Sequence, residues 1–170
     1  MRNGDVYATD SAEPNLYRIP ADASKGTETI VYPDFNDAPG AFNANGIASV
    51  DARTLVFVNS SNGRLYRVDT VRERIRAIDL DGRPVTFGDG LERVGRTLYV
   101  IRNRVERIAK IRLGRHARSG RLVSQTTDRT FRFPTTADTA RGRLLVVNSQ
   151  FDRRGGDPVL PFTVSSIRRP

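Results

Sequence analysis

Cysteine and tryptophan are absent from the 170 residues, histidine and methionine occur once each, and lysine is confined to Lys25 and Lys110. Without cysteine there are no disulfides, no Cys-ligated zinc sites and no thiol nucleophile. One histidine, His116, excludes a three-His metal centre. A Ser-His-Asp triad would have to draw on His116, which lies in GRHARSGR (114–121), a stretch that reads as a surface turn. No apolar run approaches the roughly 20 residues of a membrane helix. The first residues, MRNGDVYATD, lack the apolar core of a signal peptide, so the chain as it stands reads as cytoplasmic.

What is abundant is arginine. The formal net charge is +9, and it is uneven. Residues 1–50 carry 3 basic and 7 acidic groups, residues 51–110 carry 13 and 8, and residues 111–170 carry 12 and 4. A basic half of this kind invites a nucleic-acid reading. The chain offers neither a recognition helix nor a stacking motif, so a solvated arginine-rich surface is the preferred account.

The chain also repeats itself. Val56–Asp69, VFVNSSNGRLYRVD, slid back by 49, sets Leu65-Tyr66-Arg67-Val68 on Leu16-Tyr17-Arg18-Ile19. Slid forward by 43, Leu55–Val58 meets Leu98–Ile101, and a further 46 brings Leu144–Val147 followed by Asn148-Ser149. A second motif precedes each run: Asn45-Gly46-Ile47, Asp89-Gly90-Leu91 and Pro134-Thr135-Thr136, spaced by 44 and 45. Each unit of near 45 residues holds short runs rich in Val, Ile, Leu and Tyr, broken by Gly, Asn, Asp and Pro.

Four-stranded units at this period describe propeller blades. The expected fold is all-β: a β-propeller of four-stranded antiparallel blades, incomplete, with about three to four blades in one partial domain over 1–170. The units read as 1–39, 40–86, 87–130 and 131–170. Strands are predicted near 5–9, 15–19, 46–50, 54–58, 64–68, 74–80, 97–101, 143–147 and 162–167. Positions 105, 108 and 111 could share a helix face, but the repeat alignment makes Val105–Leu113 a strand. The first unit opens on its second strand, so the chain is expected to be an open arc or the C-terminal part of something longer. Exposed blade edges then predict self-association.

The paired Asn45-Gly46-Ile47 and Asp89-Gly90-Leu91 openings, one blade apart, resemble the gluconolactonase-like family of six-bladed propellers, which includes regucalcin-like and luciferin-regenerating proteins. The resemblance implies a closed ring with one divalent cation, Ca²⁺, Mg²⁺ or Mn²⁺, near the channel mouth, and hydrolysis of a lactone or ester. It implies Asn45 and Asp89 as metal ligands and Asp89 as the catalytic residue. The family's further ligand, a Glu from an early blade, has no counterpart here, so activity is expected to be weak or nil. Bacterial members of the family are often exported.

The residues alone support part of this. The start of a first strand and the end of a second strand lie on one rim. Asn45 and Asp89 therefore share a rim with Asp10, Asn59, Asn103 and Asn148. Their oxygens are hard donors suited to such cations, and a carbonyl bound there would be polarised for attack by water. Asn59, Asn103 and Asn148, with Arg102, are candidate substrate contacts, and Arg104 lies near them. Each feature has a plainer account. Asn-Gly and Asp-Gly make tight turns, Asn-Ser makes Asx turns, and the arginines can be solvated. Tyr17 and Tyr66 read as packing between blades, and 152–158 reads as a loop. A non-catalytic propeller that binds a small molecule or a protein is the alternative function.

Overall fold

The computed structural model describes residues 4–22, 26–31 and 41–170. Among them are fourteen strands and two short 3-10 turns, with no α-helix. The fold is an incomplete β-propeller of four antiparallel sheets. The first sheet holds β1 (Val6–Thr9), β2 (Asn15–Ile19) and β3 (Glu28–Val31). The second holds β4 (Ala44–Asp51), β5 (Thr54–Asn59), β6 (Leu65–Asp69) and β7 (Arg74–Ile78). The third holds β8 (Gly88–Val94), β9 (Thr97–Arg102), β10 (Arg107–Leu113) and β11 (Gly120–Thr126), and the fourth β12 (Pro134–Ala140), β13 (Arg143–Asn148) and β14 (Thr163–Arg168). Strands follow one another in sequence order across each sheet, as blades require.

Alternation within the second strand of each blade stacks the sheets face to face. Leu55 and Phe57 of β5 face the first sheet, packing with its Leu16 and with Tyr66 of their own sheet. Val56 and Val58 face the third sheet and join Leu98, Val100 and Ile111. Tyr99 and Ile101 of β9 face the fourth, meeting Leu144, Val146 and Phe131. A central strand buried on both faces is apolar at every position, which is why these runs stood out as continuous. β5 is buried over its whole length.

Residues 107–113 form strand β10, as the repeat alignment requires. β11 has no clear sequence signal. Its residues GRLVSQT are largely polar because it is an outer-edge strand with alternate positions in water. Tyr66 stacks on Phe57 with ring centroids 5.2 Å apart. Its repeat partner Tyr17 instead lies on the outward face of the first sheet, where its hydroxyl donates to Asp10 Oδ2 at 2.9 Å. The segment GRHARSGR holds the 3-10 turn Arg115–Ala117 and then enters β11.

The outward faces of the two end sheets carry the positions that are buried between inner blades. Val6, Ile19 and Val31 are exposed on the first, and Val147 and Val164 on the fourth. The repeat partner of Ile19, Val68, is fully buried. Concentration-dependent association is therefore expected in sedimentation velocity, and Ile19→Glu together with Val164→Glu should abolish it. A parent chain that stays monomeric at every concentration would refute this.

Candidate functional site at the blade rim

Asn45 and Asp89 do not sit in turns. Both lie inside first strands, at bulges between Ala44 and Ile47 in β4 and between Gly88 and Leu91 in β8. The glycines that follow them serve a different purpose from a tight turn. A Cβ on Gly46 would stand 2.1 Å from the Asp89 carbonyl oxygen and 2.8 Å from Gly90 Cα. A Cβ on Gly90 would stand 2.7 Å from the Thr135 carbonyl oxygen. The innermost strands of successive blades thus touch backbone to backbone, and only glycine admits the approach.

Register also shifts the third motif by one residue. Ile47, Leu91 and Ala137 pair with the equivalent residues Phe57, Val100 and Val146. Thr135, not Pro134, is therefore the counterpart of Asn45 and Asp89, at a spacing of 46 rather than 45.

The structure brings Asn45, Asp89 and Asn103 together. Asn103 Nδ2 donates to Asp89 Oδ2 at 2.9 Å, and the Asn45 side chain also hydrogen-bonds the Asp89 carboxylate. Asn103 is held in turn by its own Oδ1, which accepts the Arg104 N–H at 2.7 Å. Asn45 Nδ2 reaches Ser60 Oγ at 3.1 Å, and Ser60 donates to the Gly88 carbonyl. Ser60 went unnoticed as a site residue, although the recurring Asn59-Ser60 pair marked its position. Ser11, one blade earlier, makes the matching bond to the Ala44 carbonyl at 2.8 Å, so these hydroxyls latch one blade to the next.

Backbone bonds continue the connection around the rim. Asn43 donates to Ser11, Ser60 to Asn43, Phe87 to Ser60 and Asn103 to Phe87, at 2.8–3.1 Å.

The other expected substrate contacts are committed elsewhere. Asn59 is fully buried, and its Oδ1 accepts the N–H groups of Ser61 and Asn62 as an Asx turn. Asn148 accepts from Arg132 N and donates to Thr130 O, Thr163 Oγ1 and Ser165 Oγ. Arg102 is buried against its own blade, bonding Thr86 and Gln125. Arg104 lies over the Phe87 ring at 5.7 Å. Asp10 caps its own loop by accepting from Ala12 and Glu13.

Asp89 is half-buried, and no basic side chain pairs with it among the described residues. Burial pushes its carboxyl above the ordinary 3.8, with the Asn103 and Asn45 hydrogen bonds opposing the shift. A carboxyl raised on folding holds its proton more tightly in the folded state. The ionised form therefore costs stability above the raised value, and the cost fades below 3.8. Asp89→Asn should be more stable than the parent at neutral pH, with the two converging below pH 3.8. Urea melts at both pH values check this, and a variant less stable at neutral pH would contradict it.

A hard divalent cation asks for oxygen donors: Asp89 offers a carboxylate faced by neutral amides, whereas Asn45 directs its amide nitrogen to Ser60 Oγ. No three His, Asp or Glu side chains cluster among the described residues.

No protein-family model matches the chain, and no curated protein does. Solved structures do. An inactive virginiamycin B lyase of Staphylococcus aureus, crystallised with quinupristin, superposes with TM-score 0.64 at 16% identity, covering 99% of this chain and 53% of that one. The Malassezia sympodialis allergen Mala s 1 gives 0.72 at 16%, covering 98% and 53%. A luciferin-regenerating enzyme gives 0.60 at 18%, covering 96% and 56%. These likenesses define the class by fold alone: the chain is part of a β-propeller. It spans about half the length of the solved structures it matches.

Proposed function

We propose that the chain is the metal-bearing part of a gluconolactonase-like propeller, with Asn45 and Asp89 holding a divalent cation and a lactone or ester as the substrate class. The observation that supports this reading is the half-buried Asp89 carboxylate, bonded by amides of two successive blades and paired with no cation of the protein. When bound, the cation would supply Lewis-acid polarisation of the substrate carbonyl. Asp89 provides the charge that anchors it. Its raised proton affinity also suits it to take a proton from an attacking water. Asn103 holds the carboxylate in place and is itself fixed by Arg104 N. Thr135 stands at the equivalent position of the next blade.

The lack of a cluster of three acidic or histidine side chains among the described residues favours a second reading, a propeller that binds a small molecule without turning it over. Calorimetry with Ca²⁺, Mg²⁺ and Mn²⁺, run beside a lactone-hydrolysis assay, separates the two. We expect binding no tighter than about 10⁻⁴ M, in the range of weak calcium sites, with a further loss of tenfold or more in Asp89→Ala (about 1.4 kcal/mol). Measurable hydrolysis that disappears with Asp89→Ala supports the enzyme. Cation binding without hydrolysis supports the binding module. Tight binding that survives Asp89→Ala removes the site from both.

A further inference from the structure

The rim opposite Asn45 and Asp89 holds a second concave feature. The β4–β5 and β6–β7 hairpins meet β8 and the turn at 114–119 around a cleft of about 660 Å³. Five arginines line it, Arg53, Arg67, Arg72, Arg93 and Arg118, against two carboxylates, Asp51 and Asp69. An adjoining cleft of about 310 Å³ shares Asp51, Arg93 and His116 with it and adds Arg96 and Arg115.

Both carboxylates already have partners. Asp69 lies 3.1 Å from Arg72 and 3.9 Å from Arg67, and Asp51 lies 3.3 Å from His116 Nδ1. Three guanidinium groups are braced by backbone carbonyls, Arg67 in addition to its contact with Asp69. Arg67 Nε donates to His116 O at 2.8 Å, Arg93 to Ser49 O and Gly95 O, and Arg96 to Leu113 O at 3.1 Å. A carbonyl fixes a guanidinium in place but leaves its charge uncompensated, so Arg93 and Arg96 are ordered in advance for an anion. His116 and Ala117 both adopt left-handed backbone, at φ 52° and 51°, a region that side-chain-bearing residues rarely occupy. That conformation belongs to the turn that supplies the carbonyl holding Arg67. Arg53, Arg115 and Arg118 form no side-chain hydrogen bond or ion pair among the described residues.

We propose that this cleft binds a small polyanion carrying at least two phosphoryl groups. The planar fork of arginine matches phosphate oxygens two at a time. The unmatched charge comes from several separate groups, which one carboxylate or one phosphate would leave mostly unanswered. The site is independent of the cation reading, since it shares no residue with Asn45, Asp89 or Asn103.

The test is calorimetry at low salt, without divalent metal, using inorganic pyrophosphate and inorganic phosphate as probes. Pyrophosphate should bind about tenfold or more tightly than phosphate. Arg53→Glu combined with Arg118→Glu should weaken it about tenfold or more, and Arg53→Gln alone, at the tip of the β4–β5 hairpin, should weaken it less. Arg129→Glu, a single charge reversal at an exposed position away from the cleft, should leave it unchanged, and so should Asp89→Ala. The proposal fails if pyrophosphate does not bind, or if Arg129→Glu weakens it as much as the cleft variants do. It also fails if single-stranded DNA binds more tightly than pyrophosphate and the cleft variants do not affect that binding.

Discussion

Replacing Gly46 with alanine is expected to lower stability by about 3 kcal/mol, because the methyl group meets backbone that cannot turn away. The nearest atom is the Asp89 carbonyl oxygen at 2.1 Å, and Gly90 Cα and Leu91 N lie at 2.8 Å. Relief requires the second and third blades to separate at their innermost strands. That would also loosen the apolar layer of Val56, Val58, Leu98 and Val100 behind them. In a thermal melt the loss corresponds to a drop of about 6–12 °C for a chain of this size. Gly156→Ala is the control, since its Cβ would find its nearest neighbour, Arg153 O, at 3.6 Å. A Gly46→Ala melt within a degree or two of the parent would mean that the first strands do not touch as described.

The second large effect is expected at Asn148. This amide is buried and serves four partners on two segments, tying Arg132 and Thr130 to Thr163 and Ser165. Asn148→Ala leaves the Arg132 N–H and the Thr130 carbonyl without that partner and opens a small void. Stranding buried polar groups and losing volume together cost about 2–4 kcal/mol. Chemical denaturation measures the loss, and binding at the opposite end of the arc should be unchanged in the folded fraction. A variant as stable as the parent that loses small-molecule binding would instead make Asn148 a ligand contact.

These two residues show where sequence reading succeeds and where it stops. The apolar runs at 55–58, 98–101 and 144–147 gave the blades because central strands are buried on both faces, and a period near 45 is visible without coordinates. Asn45 and Asp89 could be placed on one rim because blade topology alternates strand direction. The purpose of their glycines was hidden, since Asn-Gly is an ordinary turn dipeptide and the contact it serves joins residues 44 apart in sequence. The commitment of Arg102 to Thr86 and Gln125 was equally hidden, as was the Asx turn of Asn59, because an end-of-strand polar residue looks the same whether it faces a ligand or its own loop. β11 left no trace because outer-edge strands need no apolar stripe. The arginine cleft left no mark in the sequence because its residues come from two hairpins of one blade and from a strand and turn of the next, and none of these is unusual alone.

The backbone belt from Ser11 through Asn43, Ser60 and Phe87 to Asn103 has a dynamic consequence. Each amide in it is capped by the carbonyl of the preceding station, so no station can exchange its proton with solvent unless that bond to its neighbour opens. Asn103 is both the last station and a partner of the Asp89 carboxylate. Whatever occupies Asp89 therefore pulls on the end of a chain of shared protons, and slowing of exchange at Asn43, one blade back, would report it before any change in shape could be seen.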